Sequence, residues 1–127
     1  MINTNATSAK WWCPLGNEIV ICEPRDGLIL PPLEEVLLLQ FFGDIRDEMR
    51  KIAHCESRKR QFLNNGDVVK SSTKDWGYFQ INERWIPKAE ELGLDIMSLE
   101  GNFAMARIIF SIQGFKAWTC AHLTGVI

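Results

Sequence analysis

Apolar positions recur at helical spacing through much of the chain. After Gly43-Asp44, which reads as a helix stop followed by a new N-cap, they fall at Ile45, Met49 and Ile52, and the next position on that face is Glu56. Asp47 and Glu48 in the first turn, with Arg50 and Lys51 further on, suit the dipole of such a helix. Upstream, Pro31-Pro32 opens a helix from about Leu33 to Phe42, with Glu34 and Glu35 in its first turn and Gly43 as its stop. Downstream, Pro87 to Leu92 followed by Gly93 predicts a short helix. Asn102 then caps a segment from Phe103 to Gln113 whose sole charge is Arg107, so a helix buried nearly all round and ending at Gly114 is expected at the centre of the core.

The pattern changes between these helices. Gln61-Phe62-Leu63, the turn Asn64-Asn65-Gly66-Asp67 and Val68 to Ser71 read as a hairpin, with Asp75 to Asn82 as a third strand and bend completing a small antiparallel sheet. Ile19-Val20-Ile21 predicts a short strand or hairpin within residues 11–30, and the Asn, Thr and Ser of Met1 to Lys10 read as a tether. The fold class is therefore α+β, mainly α. Residues 1–30 form a tail and disulfide-closed loop ahead of one folded domain at residues 31–127.

Composition narrows the function. With 127 residues, 46% of them hydrophobic, the chain can bury a real core. A net charge of -2 and no basic stripe interleaved with aromatics set nucleic acid aside. Val36 to Leu39 is broken by Gln40 before Phe41-Phe42, too short a run to span a membrane. Cys13, Cys22, Cys55 and Cys120 are even in number and lack a C-x-x-C pair. Three pairings are formally possible; Cys13 with Cys22 and Cys55 with Cys120 are favoured, which points to an oxidising compartment, while four buried thiols stay open. Met1 to Lys10 is polar with no apolar stretch behind it, so export would be signalled elsewhere or through a removed leader.

The candidate chemistry gathers between His54 and Asn82. Glu56 occupies a core-facing slot at the wrong end of its helix for an acid, where desolvation and the C-terminal dipole both raise its pKa, as a general acid needs. The alternative is a frayed-end glutamate paired with Arg58 or Arg60. Asp75 stands just before Gly77 and an aromatic turn; Gln80 and Asn82 alternate onto one face, offering amides of the kind sugar hydroxyls and N-acetyl groups require. Trp85 suits stacking on a sugar ring or burial, and the Cys55–Cys120 pairing would bring Trp118 near Glu56. Arg58-Lys59-Arg60 reads as a solvated cationic turn, with a face for anionic substituents of a substrate as the alternative; His54 and His122 are too few for a metal site, and no cofactor is implied.

Cys55-Glu56-Ser57, followed by Asp75-Trp76-Gly77-Tyr78-Phe79-Gln80-Ile81-Asn82 and then Trp85, resembles the lysozyme-like superfamily, chicken-type lysozymes and compact lytic transglycosylase domains, over about Asp44 to Cys120. The resemblance implies a small sheet beside a helical core with a cleft between them. It also implies Glu56 as catalytic acid and Asp75 as the second carboxylate. Ser57, Tyr78, Gln80, Asn82, Trp85 and Trp118 then form the substrate-binding set. The implied protein is a monomeric, exported glycosidase of the cell envelope or medium, cutting the β-1,4 bond between N-acetylmuramic acid and N-acetylglucosamine in peptidoglycan strands. A non-catalytic glycan-binding module and a chitin-directed hydrolase are the alternatives. The late Ala-Tyr-Asn motif of many transglycosylases is missing, which leaves hydrolysis and anhydro-ring formation both open.

Overall fold

A computed structural model describes residues 11–15, 18–22 and 31–127, and the chain divides into two units, Met1–Pro32 and Leu33–Ile127. In the first unit, β1 (Trp11–Leu15) pairs antiparallel with β2 (Glu18–Cys22), with Trp11 opposite Cys22 and Cys13 opposite Val20. The strand or hairpin expected from Ile19-Val20-Ile21 is a hairpin. The side chains of Cys13, Cys22, Trp11 and Trp12, and the segment Met1 to Lys10, lie outside the described residues.

The second unit is mainly helical with a small two-stranded antiparallel sheet: α1 (Leu33–Phe42), α2 (Arg46–Ser57), β3 (Asp75–Trp76), β4 (Ile81–Asn82), α3 (Ile86–Glu91), α4 (Leu99–Gln113) and α5 (Cys120–Leu123). Short 3-10 turns precede α2, α3 and α5. Burial follows the expected periodicity in α2, where Met49, Ile52 and Ala53 face the core. Leu37, Leu38 and Phe42 of α1 and Phe103, Met105 and Ile109 of α4 are also buried. Between these helices sits an aromatic cluster, with Phe79 5.4 Å from Phe42 and 4.9 Å from Phe103, and Tyr78 4.7 Å from Phe103.

Four details depart from the sequence expectations. Asp44 does not cap α2; it lies in the 3-10 turn Gly43–Ile45, and Ile45 occupies the cap position without a side-chain bond. α4 begins a turn earlier than Asn102, because the Ser98 hydroxyl accepts the Gly101 N–H at 3.0 Å and supplies the cap. Nor is α4 buried all round: Arg107 and Ser111 are exposed and Ile112 is 61% exposed, so it covers the core with one face. The 61–71 hairpin closes through the isolated bridge Phe62↔Val68 and joins β3 through the bridge Lys70↔Trp76, and the expected third strand is itself a tight hairpin of β3 and β4. Two-residue strands have little ladder of their own.

Cys55 and Cys120 form a disulfide across a sequence separation of 65, tying the end of α2 to α5. In the chain-entropy account, closing a loop of that length stabilises by about 4 kcal/mol. Paired Cys55→Ser and Cys120→Ser replacement is therefore expected to lower the denaturant midpoint and to steepen the slope, because the unfolded chain expands once the crosslink is gone. A loss below ~1 kcal/mol would contradict the entropic account. Among the described residues no helix is long and apolar enough to cross a membrane.

Candidate active site

Glu56 is half-buried in the last turn of α2, on the face carrying Met49 and Ile52. Burial pushes its carboxyl up to about 7; the backbone amide of Cys120 partly offsets this, and the negative charge of Asp75 adds to it. Among the described residues Glu56 has no ion-pair partner; Arg60 turns its Nε toward the Ser57 carbonyl at 3.4 Å instead. The frayed-end pairing with Arg58 or Arg60 is not the arrangement present.

Asp75 lies on β3 and is treated in the opposite way. Ser71 Oγ donates to its Oδ2 at 2.8 Å, Thr73 Oγ1 donates to the same oxygen, and Asn82 Nδ2 donates to Oδ1 at 3.0 Å. Burial alone would push this carboxyl up, but the bonds from Thr73, Asn82 and Ser71, with the charge of Arg84, hold it below the usual carboxylate range. One carboxyl thus holds its proton up to about pH 7, partly because of the charge of the other, which stays ionised.

A groove of about 220 Å³ runs beside Asp75. Its polar wall is Thr73, Asp75, Gln80, Asn82, Arg84 and Gln113, and its apolar wall is Ile81, Trp85, Ile109, Ala117 and Trp118. Five of the residues singled out from the sequence therefore meet in one place: Asp75, Gln80, Asn82, Trp85 and Trp118. Glu56 does not itself line this groove. Its carboxyl takes the backbone N–H of Cys120, two residues after Trp118 of the groove wall, and feels the charge of Asp75.

The groove wall depends on the turn Trp76 to Gln80, whose backbone is gripped by side chains from elsewhere. Gln61 Oε1 accepts the Tyr78 N–H at 2.7 Å, and its Nε2 donates to the Ile96 and Met97 carbonyls at 3.1 and 3.0 Å. Asn102 Oδ1 accepts the Phe79 N–H at 2.9 Å, while its Nδ2 donates to the Trp76 and Ile96 carbonyls, both at 2.9 Å. Ser57 Oγ donates to the Tyr78 carbonyl at 2.7 Å and Trp118 Nε1 to the Phe79 carbonyl at 2.9 Å. Buried amides satisfied at both ends fix backbone position, since loosening either would strand groups away from water. Ser57 is also one residue from Glu56, so the same frame sets the acid relative to the turn that follows Asp75.

These bonds revise several substrate-binding assignments. Ser57, 5% exposed, and Tyr78, 1% exposed, belong to the frame and the core and present nothing to the groove. Asn82 lines the groove, but its Nδ2 is spent on Asp75 and the Thr73 carbonyl and its Oδ1 accepts the Arg84 N–H, so it braces Asp75 instead of reading a ligand. Trp118 is a wall, 4% exposed, with its indole N–H already used. Trp85 remains half-exposed, and Gln80 reaches the groove from a left-handed backbone at φ 52, with Nε2 on the Gly77 carbonyl at 3.0 Å.

Sequence reasoning missed Gln61, Asn102 as a brace, and the Ser71 and Thr73 hydroxyls. The last pair left a trace in the spacing of Ser71, Thr73 and Asp75 at every second residue. Gln61 and Asn102 left none, because their partners are distant. Comparison of the chain with protein-family models, curated proteins and solved structures gives no match.

Proposed function

We propose that the Leu33–Ile127 unit is a lysozyme-like glycosidase that cleaves the β-1,4 bond between N-acetylmuramic acid and N-acetylglucosamine in peptidoglycan, outside the reducing cytosol. One observation carries this reading: two electrostatically coupled carboxyls shifted in opposite directions, one beside a polar and aromatic groove. In the reaction, Glu56 donates its proton to the glycosidic oxygen as the C1–O bond breaks. The positive charge developing at C1 is met by ionised Asp75. Three donors already occupy the Asp75 oxygens, which makes it a weak nucleophile and a well-fixed negative charge. An electrostatic role is the one this favours. The sugar cation is then resolved by water, or by the muramyl 6-hydroxyl closing an anhydro ring, the attacking oxygen giving its proton to the Glu56 carboxylate as the new C1–O bond forms.

The test is clearance of purified cell walls followed by mass spectrometry of the products. Soluble disaccharide-peptides with reducing or anhydro ends are expected; intact walls after prolonged incubation would defeat the proposal. The pH dependence is fixed by the two shifts. Glu56 must be protonated, so the rate falls as pH rises through about 7. Asp75 must be ionised, and because its carboxyl is lowered from 3.8 the acid limb lies below that pH. An alkaline limb at the ordinary glutamate value near 4.5 would deny Glu56 its role.

A further inference from the structure

Arg84 is the sole cation among the residues lining the groove. It sits in the 3-10 turn Glu83–Trp85, its backbone N–H held by Asn82 Oδ1 at 3.0 Å, and with Trp85 it also lines an adjoining depression of about 250 Å³. Among the described residues its guanidinium makes no ion pair. The nearby acids are otherwise engaged: Asp75 takes three neutral donors, and Glu83 lies 3.8 Å from Lys74. A positive charge with a planar donor fork is thus left facing whatever enters, beside the flat ring of a half-exposed tryptophan.

We propose that Arg84 makes the groove selective for amino-sugar polymer bearing carboxylate substituents, the guanidinium pairing with the carboxylate while a sugar ring lies against Trp85. The proposal rests on the glycan-cleaving reading above and names the substrate class that reading takes. A guanidinium matches a carboxylate with two parallel hydrogen bonds, which a neutral N-acetylglucosamine polymer cannot offer. Selectivity here comes from an added attraction at one wall, and it is screened by salt because Arg84 is exposed. Arg84 also favours the ionised form of Asp75, a separate duty that acts on both polymers alike.

The experiment measures binding by the full chain carrying Glu56→Gln, so that bound glycan is not consumed. Two probes are titrated: a peptide-free tetrasaccharide alternating N-acetylglucosamine with N-acetylmuramic acid, whose lactyl carboxylates are free, and the N-acetylglucosamine tetramer. With Arg84 intact the carboxylate-bearing probe binds more tightly, and Arg84→Ala lowers the ratio of the two affinities about tenfold. Arg84→Lys, which keeps charge without the fork, gives an intermediate ratio, and unchanged binding of the neutral tetramer by Arg84→Ala shows that this variant is folded. Near 1 M salt, where the Debye length is about 3 Å, the preference shrinks. An Arg84→Ala ratio equal to that of the Arg84 protein overturns the assignment while leaving the glycan reading standing. If neither probe binds with Arg84 in place, the glycan reading falls and the Arg84 assignment with it.

Discussion

Glu56→Gln is expected to slow wall cleavage by about 1,000-fold, in the range removed with a general acid, while leaving the domain folded. Glutamine preserves the shape and part of the hydrogen bonding of a protonated carboxyl but cannot release a proton to the leaving oxygen. The same substitution has a stability signature with a defined sign. Because the folded-state value is raised to about 7 from 4.5, the folded protein binds the Glu56 proton more tightly than the unfolded chain does. Wild-type stability therefore declines as pH rises across that interval, and the glutamine variant escapes the decline. Discounting for the partial exposure of Glu56, Glu56→Gln should be more stable than wild type by about 1–2 kcal/mol at pH 8 and equal to it near pH 4. Denaturant titrations at the two pH values would show it. Equal clearing by both proteins, or a glutamine variant less stable at pH 8, would remove Glu56 from the mechanism.

Gly77→Ala is expected to be strongly damaging to the turn behind Asp75. The backbone there has φ 78, in the left-handed region, which costs a non-glycine residue about 1–2 kcal/mol. An added Cβ would also stand 2.5 Å from both Asn102 Nδ2 and Gln61 Oε1. Those atoms are not flexible ends that can retreat. Each is committed to buried backbone partners, so moving either leaves a polar group unpaired at about 1–3 kcal/mol. Together a loss of about 3–5 kcal/mol is expected, with cleavage lost as Asp75 and Gln80 shift. Gly66→Ala serves as the control, since Gly66 has φ 92 but open space around its Cβ position. It should cost only the backbone strain, about 1 kcal/mol. If the two variants proved equally stable, the grip of the amide frame on the turn would be disproved.

The frame also explains why the site was only partly legible along the chain. α1 was readable at both ends because Pro31-Pro32 and Gly43 act on residues next to them, and the burial of Met49 and Ile52 followed from helical period alone. The cap of α4 was misplaced because Ser98 and Asn102 are both good caps, and only packing decides that Asn102 is wholly buried against the turn. Tyr78 looked like an aromatic on a binding strand; inside the fold it meets Phe103 and leaves the groove to Trp85. Asn82 carried the right chemistry for a ligand and spends it on Asp75.

What the chain dictated by itself were the properties set within one or two turns: the bounds of α1, the buried face of α2, the stop at Gly114, and Glu56 at the end of an apolar stripe ahead of Asp75. Tertiary structure alone decided which polar groups serve the frame and which face the groove. The bonds concerned join residues 17, 23 and 39 positions apart, Gln61 to Tyr78, Asn102 to Phe79 and Trp118 to Phe79. Local periodicity carries no record of partners at such distances. A turn between two-residue strands has almost no ladder of its own, so its shape, and with it the environment of Asp75, is imposed by side chains from distant parts of the chain.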